Sequence, residues 1–521
     1  MCPMGHGAWR VPRVPLWANE YGGVYQLNVA GPTYVISDAK LANTILTARG
    51  KGKFPKSWQV YKPSLELSFG VPSLFNDCDE GEQYITWRKL ILQCFSNDNM
   101  KAIFPIFRGC AQNLVAQWQK AQPGSTAIEL EDWMQRCFLD IAFEAGFGMP
   151  GTALLGTPNE FLHVAQMTPG LGCSLISKDL ADHALSQVVH DALIQVDKKM
   201  MNPLLPTVYK MLPFCAGARE SRASMVKFRK LFDGMLEEFR SRGPPPEDDK
   251  RMWAQVMRAR HPSTGLPYPD EVISGQIATL MVAGYDTSSW TSVWALYDIA
   301  RHPDIQQRIK RELADAGLLQ VKGQPQARQI EWADLSLPYF NAVIKESMRM
   351  HPVGATGTLR VAPEDMELGG YSVKKGEKLW VPIITVHNSV INFTEADKFD
   401  PERWMKAEGS SKGDICPSLA PASAAATTGS ASCPFSDRAT QAGHAEAHTS
   451  MLPFSAGPRN CVGVNFAYAT LRVVLLSVLS NFWLELDPSV GTHAEVEAQQ
   501  AMALVLTSRR PLKVRLQPHA M

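Results

Sequence analysis

Phe454, Gly457, Arg459, Cys461 and Gly463 fall within ten residues, FSAGPRNCVG, and spell F-x-x-G-x-R-x-C-x-G. With ordinary residue usage, a match at five such positions arises in a chain of this length about once in 10⁴ sequences. A thiolate is a soft, strongly donating metal ligand, and a loop that turns backbone N–H groups toward the sulfur partly offsets its charge. Glycines permit that backbone path, a phenylalanine shields the sulfur from water, and an arginine supplies a fixed positive charge for a carboxylate. The other nine cysteines are scattered without the spacing of a disulfide scaffold and read as reduced, structural thiols.

Three further stretches carry chemistry. In IATLMVAGYDTSSWTSVW an apolar helix is interrupted by Ala283, Gly284, Asp286 and Thr287. Glycine inside a helix costs about 1 kcal/mol relative to alanine, and a carboxylate facing a core costs more unless hydrogen-bonded. In VIKESMRMHP, Glu346 and Arg349 stand three apart and meet on one helical face. Glu237 and Arg240 share that spacing in a plain amphipathic helix, so the order of segments matters: Glu346 and Arg349 lie between the interrupted helix and Cys461 and are followed by FDPERW, which contains Arg403. In YITWRKLILQCFS, Tyr84, Trp87 and Arg88 share one short segment, and HPVGATGTLR ends on Arg360. Taken singly, Arg88 and Arg360 read as surface charges.

The elements that must position these residues follow from periodicity. YGGVYQLNVAGPTYVI alternates around Gly31-Pro32 as a β-hairpin, and from about Gly81 to Ser289 the period lengthens to that of helices, broken by PPPEDD. A helix ends near Met350, because Pro352 lacks an N–H and restricts His351 before it. LGGYSVKKGEKLWVPIITV reads as strand, GVNFAYATLRVVLLSVLSNF as helix, and ALVLTSRRPLKVRL as strand again. The fold class is mainly α with a small β portion.

Composition excludes several functions. With 45% hydrophobic and 20% charged residues a large core is available, and a net charge of +1 gives no field that would draw the whole molecule to nucleic acid. No signal-peptide run opens the chain, and nowhere are eighteen consecutive residues apolar. Residues 405–450, rich in Ala, Ser, Thr and Gly, read as a disordered insertion. Its Cys416, Cys433, His444 and His448 lack the close cysteine pair or HExxH spacing of a zinc site.

On these motifs and their order, the chain resembles the cytochrome P450 family, of eukaryotic type, from about Asn19 to its C-terminus outside the insertion. The resemblance implies that family's fold, a helical haem-enclosing domain with minor β-sheets, as one domain over residues 1–521. It implies haem b (iron protoporphyrin IX) as cofactor, with Cys461 as the iron ligand, Phe454, Gly457 and Gly463 shaping its loop, and Arg459, Arg88 and Arg360 as propionate partners. Tyr84 occupies the place of the family's tryptophan in W-x-x-x-R, with Trp87 beside Arg88 instead. Gly284, next to Ala283, would leave room for O₂ and a local opening of the helix, Thr287 would donate to the distal oxygen, and Asp286 would feed protons. Glu346, Arg349 and Arg403 would form a bracing network.

The implied activity is a haem-thiolate monooxygenase that inserts one atom of O₂ into a small apolar or amphipathic organic substrate. Alternatives are a haem-thiolate isomerase or dehydratase acting on a peroxide, and a non-catalytic haem-binding sensor. Only sixty residues follow Cys461, so electrons are expected from NADPH-cytochrome P450 reductase or a ferredoxin; Lys89 and Lys345 read as ordinary solvated lysines. Substrate contacts are expected from residues 58–78, 165–215, Met281 to Thr287, Val353 to Thr358, and Met502 to Leu504. An N-terminal anchor is expected ahead of this chain, with residues 202–217 dipping into a bilayer of the endoplasmic reticulum, or alternatively of the plastid.

Overall fold

Proline pre-sets φ for a first helical residue, and helices open on it at Pro303 and Pro338. Asp38 caps the helix Ala39–Thr47 by accepting from the Leu41 N–H at 2.8 Å. The helix Pro338–Met350 stops at His351-Pro352, as the sequence requires. The computed structural model describes residues 9–10, 13–28, 31–79, 81–120, 127–149, 151, 185–202, 204–405, 450–502 and 504–519. The insertion between Met405 and Ser450, with its Cys416, Cys433, His444 and His448, lies outside the described residues, as do residues 165–184 of the expected substrate segment.

The described chain is mainly helical and divides into two compact units. The first holds residues 57–117 and 135–286, with the helices Glu82–Cys94, Leu185–Met201 and Ala216–Ser241. Its core includes Phe228 and Phe232, whose ring centroids are 4.9 Å apart, with Phe69 5.8 Å from the former. The long helix Asp270–Arg301 gives its first half to this unit and lies hard against the turn Lys62–Ser68. A Cβ on Gly275 would stand 2.8 Å from the Ser68 carbonyl oxygen, so only glycine permits that approach.

The second unit holds residues 8–56, 118–134 and 287–521. The hairpin Val24–Asn28/Pro32–Ile36 forms, and Pro32–Ile36 pairs in parallel with Lys378–Val381, which pairs antiparallel with Thr358–Val361. Ile36, Leu379, Val381, Ile45 and Leu452 fill the core against this sheet. The C-terminal strand Lys513–Pro518 lies between Phe482–Leu486 and Ile128–Glu129. One expectation fails: IITV is not strand. Pro382 ends the strand after Val381, and residues Ile383–Asn388 turn into a helix whose apolar positions are buried from every side, a burial that both structures tolerate for so short an apolar run.

The helix Val464–Asn481 follows Cys461 as expected. Among the described residues it is the one helix long and apolar enough to cross a membrane, and 78% of it is buried inside the fold, as a core helix is.

Candidate active site

The segment carrying Cys461 is held by a run of backbone bonds in the second unit. The Leu452 carbonyl accepts from the Ser455 N–H at 2.9 Å, the Gly457 carbonyl from Asn460 at 3.1 Å, and the Phe454 carbonyl from the Cys461 N–H at 2.9 Å. Two residues take left-handed backbone: Ser455 at φ 61° and Gly457 at φ 72°. Gly457 also passes so close to the helix Ala39–Thr47 that a Cβ there would stand 2.1 Å from the Leu46 carbonyl oxygen. Gly463 needs no such freedom, with φ −92°; it is the residue before the first turn of the helix Val464–Asn481.

Cys461 alone is exposed among the described cysteines. Burial pushes the Cys94 thiol up to about 12 and those of Cys110 and Cys137 higher still, which keeps all three protonated and inert. Cys461 by contrast sits ahead of a helix N-terminus, where the peptide dipoles favour negative charge. The Phe454 ring is fixed against Tyr468 at 5.0 Å, and the Arg472 guanidinium lies 4.6 Å over the other ring. Arg459 is half-buried in the 3₁₀ turn Gly457–Arg459. Arg360 is no surface charge: it is 3% exposed on the strand Thr358–Val361, where its Nη1 donates to the Phe54 carbonyl at 3.3 Å.

Glu346, Arg349 and Arg403 come together. Arg349 donates from Nε and Nη2 to the two Glu346 oxygens at 3.0 and 2.9 Å, and Arg403 Nε donates to Oε1 at 3.0 Å. The Trp404 indole and the Asp400 backbone N–H complete the shell of this fully buried carboxylate, each at 2.9 Å. Every lone pair that burial strips of water is thereby returned to a donor. Arg349 Nη1 reaches on to the carbonyls of His387 and Ala396 at 3.0 and 2.8 Å.

In the long helix, Ala283 is exposed and Gly284 and Thr287 half-exposed, while Met281, Tyr285, Asp286 and Ser288 are buried. Among the described residues, nothing beyond the helix's own neighbouring residues would lie within 4 Å of a Cβ on Gly284. The helix runs from Asp270 to Arg301, and the Thr291 hydroxyl bonds back to the Thr287 carbonyl at 2.7 Å. Burial pushes the Asp286 carboxyl up to about 7.

In the first unit, Tyr84 and Trp87 are buried on the helix Glu82–Cys94, Arg88 is half-buried and Lys89 exposed. Trp87 packs on Tyr268 at 4.8 Å, and its buried Nε1 meets no acceptor among the described residues.

Sequence reasoning missed His387 and the pair His351/Asp298. His387 accepts from the Leu452 N–H at 2.7 Å, and His351 lies 3.1 Å from the Asp298 carboxylate. The histidine of MRMHP stood next to a quoted motif, but nothing in the spacing announced its partner.

A family model described as Cytochrome P450 matches residues 15–514. The chain is 24% identical over 457 residues to Cytochrome P450 3A41 of Mus musculus, an alignment covering 87% of this chain and 76% of that protein. It is 24% identical to Cytochrome P450 3A31 of Mesocricetus auratus, covering 96% and 85% respectively. It is 27% identical to the Cytochrome P450 monooxygenase sphH of Aspergillus fumigatus, covering 78% and 66%.

Proposed function

The chain belongs to the cytochrome P450 family, and from that premise we propose that Cys461 is the thiolate ligand of its haem iron and that the 283–287 stripe serves the oxygen-binding side. Membership makes it an oxidoreductase that incorporates oxygen, broadly a haem-thiolate monooxygenase, with haem b as cofactor, O₂ and an organic molecule as substrates, and a redox partner. When bound, the haem supplies reductive activation of O₂, the thiolate ligand pushing electron density that favours O–O cleavage, for which this family is the standing example.

The residues present fit that group. Cys461 offers an accessible thiol at a helix start, Phe454 a ring locked beside its loop, and Arg360 a buried guanidinium on a rigid strand. In this reading Arg459, Arg360 and Arg88 neutralise the propionates, with Tyr84 one turn before Arg88 on its helix and Trp87 next to it in sequence. Glu346, Arg349 and Arg403 keep the Cys461 segment in place. Ala283 and Gly284 keep space open, the Thr287 hydroxyl orients by hydrogen bonding, and Asp286, near half-protonated at neutral pH, holds and releases a proton.

The observation that carries the reading is the exposed Cys461 in a loop built on Gly457, where any side chain would be strained by the left-handed backbone and by the Leu46 carbonyl. The reduced carbon monoxide difference spectrum tests it: a thiolate-type band that Cys461→Ser abolishes is expected. NADPH-dependent O₂ uptake with a reductase or ferredoxin then separates the monooxygenase from a peroxide isomerase or a haem sensor, and Asp286 and Thr287 favour the monooxygenase.

An apolar substrate suits the lining expected from Val353 to Thr358 and the C-terminal strands, which are tied together where the Leu506 N–H donates to the Val353 carbonyl at 2.9 Å. Membrane association suits the short helix Leu205–Met211 and its flanks, where Leu204, Met211, Leu212 and Phe214 are 71%, 75%, 60% and 83% exposed. The endoplasmic reticulum is the proposed compartment. Flotation with liposomes checks the contact, and loss of binding in a Met211→Ser, Phe214→Ser double variant is expected.

A further inference from the structure

We infer that His387 is a positioning residue for Cys461, carrying the Glu346–Arg349 ion pair's rigidity into the loop that presents the thiolate. The inference rests on the reading of Cys461 as haem ligand. His387 is fully buried at the end of the helix Ile383–Asn388, its ring edge-on to Phe393 at 6.5 Å. Its two ends face different structures. The backbone carbonyl accepts from Arg349 Nη1 at 3.0 Å, while Nε2 of the ring accepts from the Leu452 N–H at 2.7 Å.

Leu452 is where the Cys461 loop leaves the core; it is 4% exposed, so without Nε2 its N–H would be buried and orphaned. From there the bonds already described run on: Leu452 carbonyl to Ser455 N–H, then Phe454 carbonyl to Cys461 N–H, both 2.9 Å. A path of hydrogen bonds joined by three short covalent spans, within His387, within Leu452 and across Phe454–Ser455, thus links Glu346 to Cys461, and the ring of His387 carries it into the loop.

The chemistry requires a long, neutral acceptor. A carboxylate would meet the Arg349 charge and draw it from Glu346; lysine and arginine have no lone pair to offer. Imidazole serves only if unprotonated, and burial together with the nearby Arg349 guanidinium holds His387 down to about 3. The bond therefore persists across the working pH range.

His387→Phe keeps the ring and removes the acceptor; His387→Gln returns an acceptor oxygen near the Nε2 position. In haem-loaded protein, His387→Phe is expected to raise the ratio of thiol-type to thiolate-type ferrous–carbon monoxide complex roughly five- to tenfold, the effect of one lost buried hydrogen bond. In haem-free protein the same variant is expected to alkylate faster at Cys461, read by peptide mass, and His387→Gln is expected to return both readouts most of the way. A purely structural role would lower the melting temperature of both variants without that split. If His387→Phe does not fold, hydrogen exchange on the unmutated holoenzyme decides, since the Leu452 amide should be strongly protected. A Leu452 amide exchanging like a free loop amide, or spectra and alkylation unchanged in His387→Phe, overturns the inference. Cys461→Ser run alongside separates the two failures: an unmoved band there sinks the ligand reading, whereas a lost band with a normal His387→Phe sinks only the role of His387.

Discussion

The His351 Nδ1 stands 3.1 Å from the Asp298 Oδ2, with both side chains fully buried. The His351 ring is stacked on Trp294 at 4.4 Å, Asp298 also accepts from the Ser347 hydroxyl at 2.7 Å, and Glu497 lies 3.7 Å from the other ring nitrogen. Burial alone would lower the histidine, but the charge of Asp298 and its hydrogen bond outweigh that and raise it to about 9.

A group raised in the folded state contributes stability that is full below its unfolded value near 6.5 and is lost as pH rises through about 9. Melting temperature is therefore expected to fall between those limits, and His351→Phe to flatten the fall. The same variant is expected to cost about 3–5 kcal/mol at neutral pH, because it removes the closest cation from a buried Asp298 carboxylate and leaves it the Ser347 hydroxyl and Arg301 4.0 Å away. A slope in the melting curve identical in the variant would assign it to other groups.

Arg349→Ala takes from the buried Glu346 its bidentate cation, and from the carbonyls of His387 and Ala396 their donor, leaving Arg403, Trp404 and Asp400 on the carboxylate; it is expected to cost about 3–5 kcal/mol in chemical denaturation. Arg403→Ala, whose partner keeps Arg349, Trp404 and Asp400, is expected to cost less than half of that. Equal losses would show that the network does not share its load in this order.

Asp286 is held up near 7 by burial, so its acid form is lost as pH rises through that value. Turnover limited by its proton is expected to fall over the same range, and Asp286→Asn to lower turnover by about 10²-fold and remove the pH dependence. Since the ionised acid is a burden in the core, stability linked to Asp286 is present below its unfolded value of 3.8 and lost as pH rises through 7. The asparagine variant is thus expected to melt higher than the parent at pH 8.

Gly457→Ala places a Cβ 2.1 Å from the Leu46 carbonyl at φ 72°. A cost of roughly 1–3 kcal/mol is expected, together with weaker haem retention on dilution. Gly463→Ala, at φ −92°, is expected to leave both nearly unchanged.

Local pattern and distant pairing divide what could be read in advance. The helix Pro338–Met350, its halt at His351-Pro352, the hairpin at 24–36 and the helix after Cys461 all follow from backbone period and proline chemistry, which act between residues a few positions apart. For IITV the period was silent, because a short apolar run buried from every side fits strand and helix alike, and the turn after Pro382 settled it.

By itself the sequence determined which side chains can do chemistry here: Cys461 within its glycine-framed loop, the small and acidic residues at 283–287, and Glu346 facing Arg349 across one helical turn. Only the tertiary structure decided that His387 meets Leu452, 65 residues on, that His351 meets Asp298 across 53, and that Arg360 is buried rather than solvated. The reason is physical: a helix or strand repeats within four residues, whereas the partner of a buried polar group is whichever group packing brings within hydrogen-bond reach, and no period in the chain encodes that.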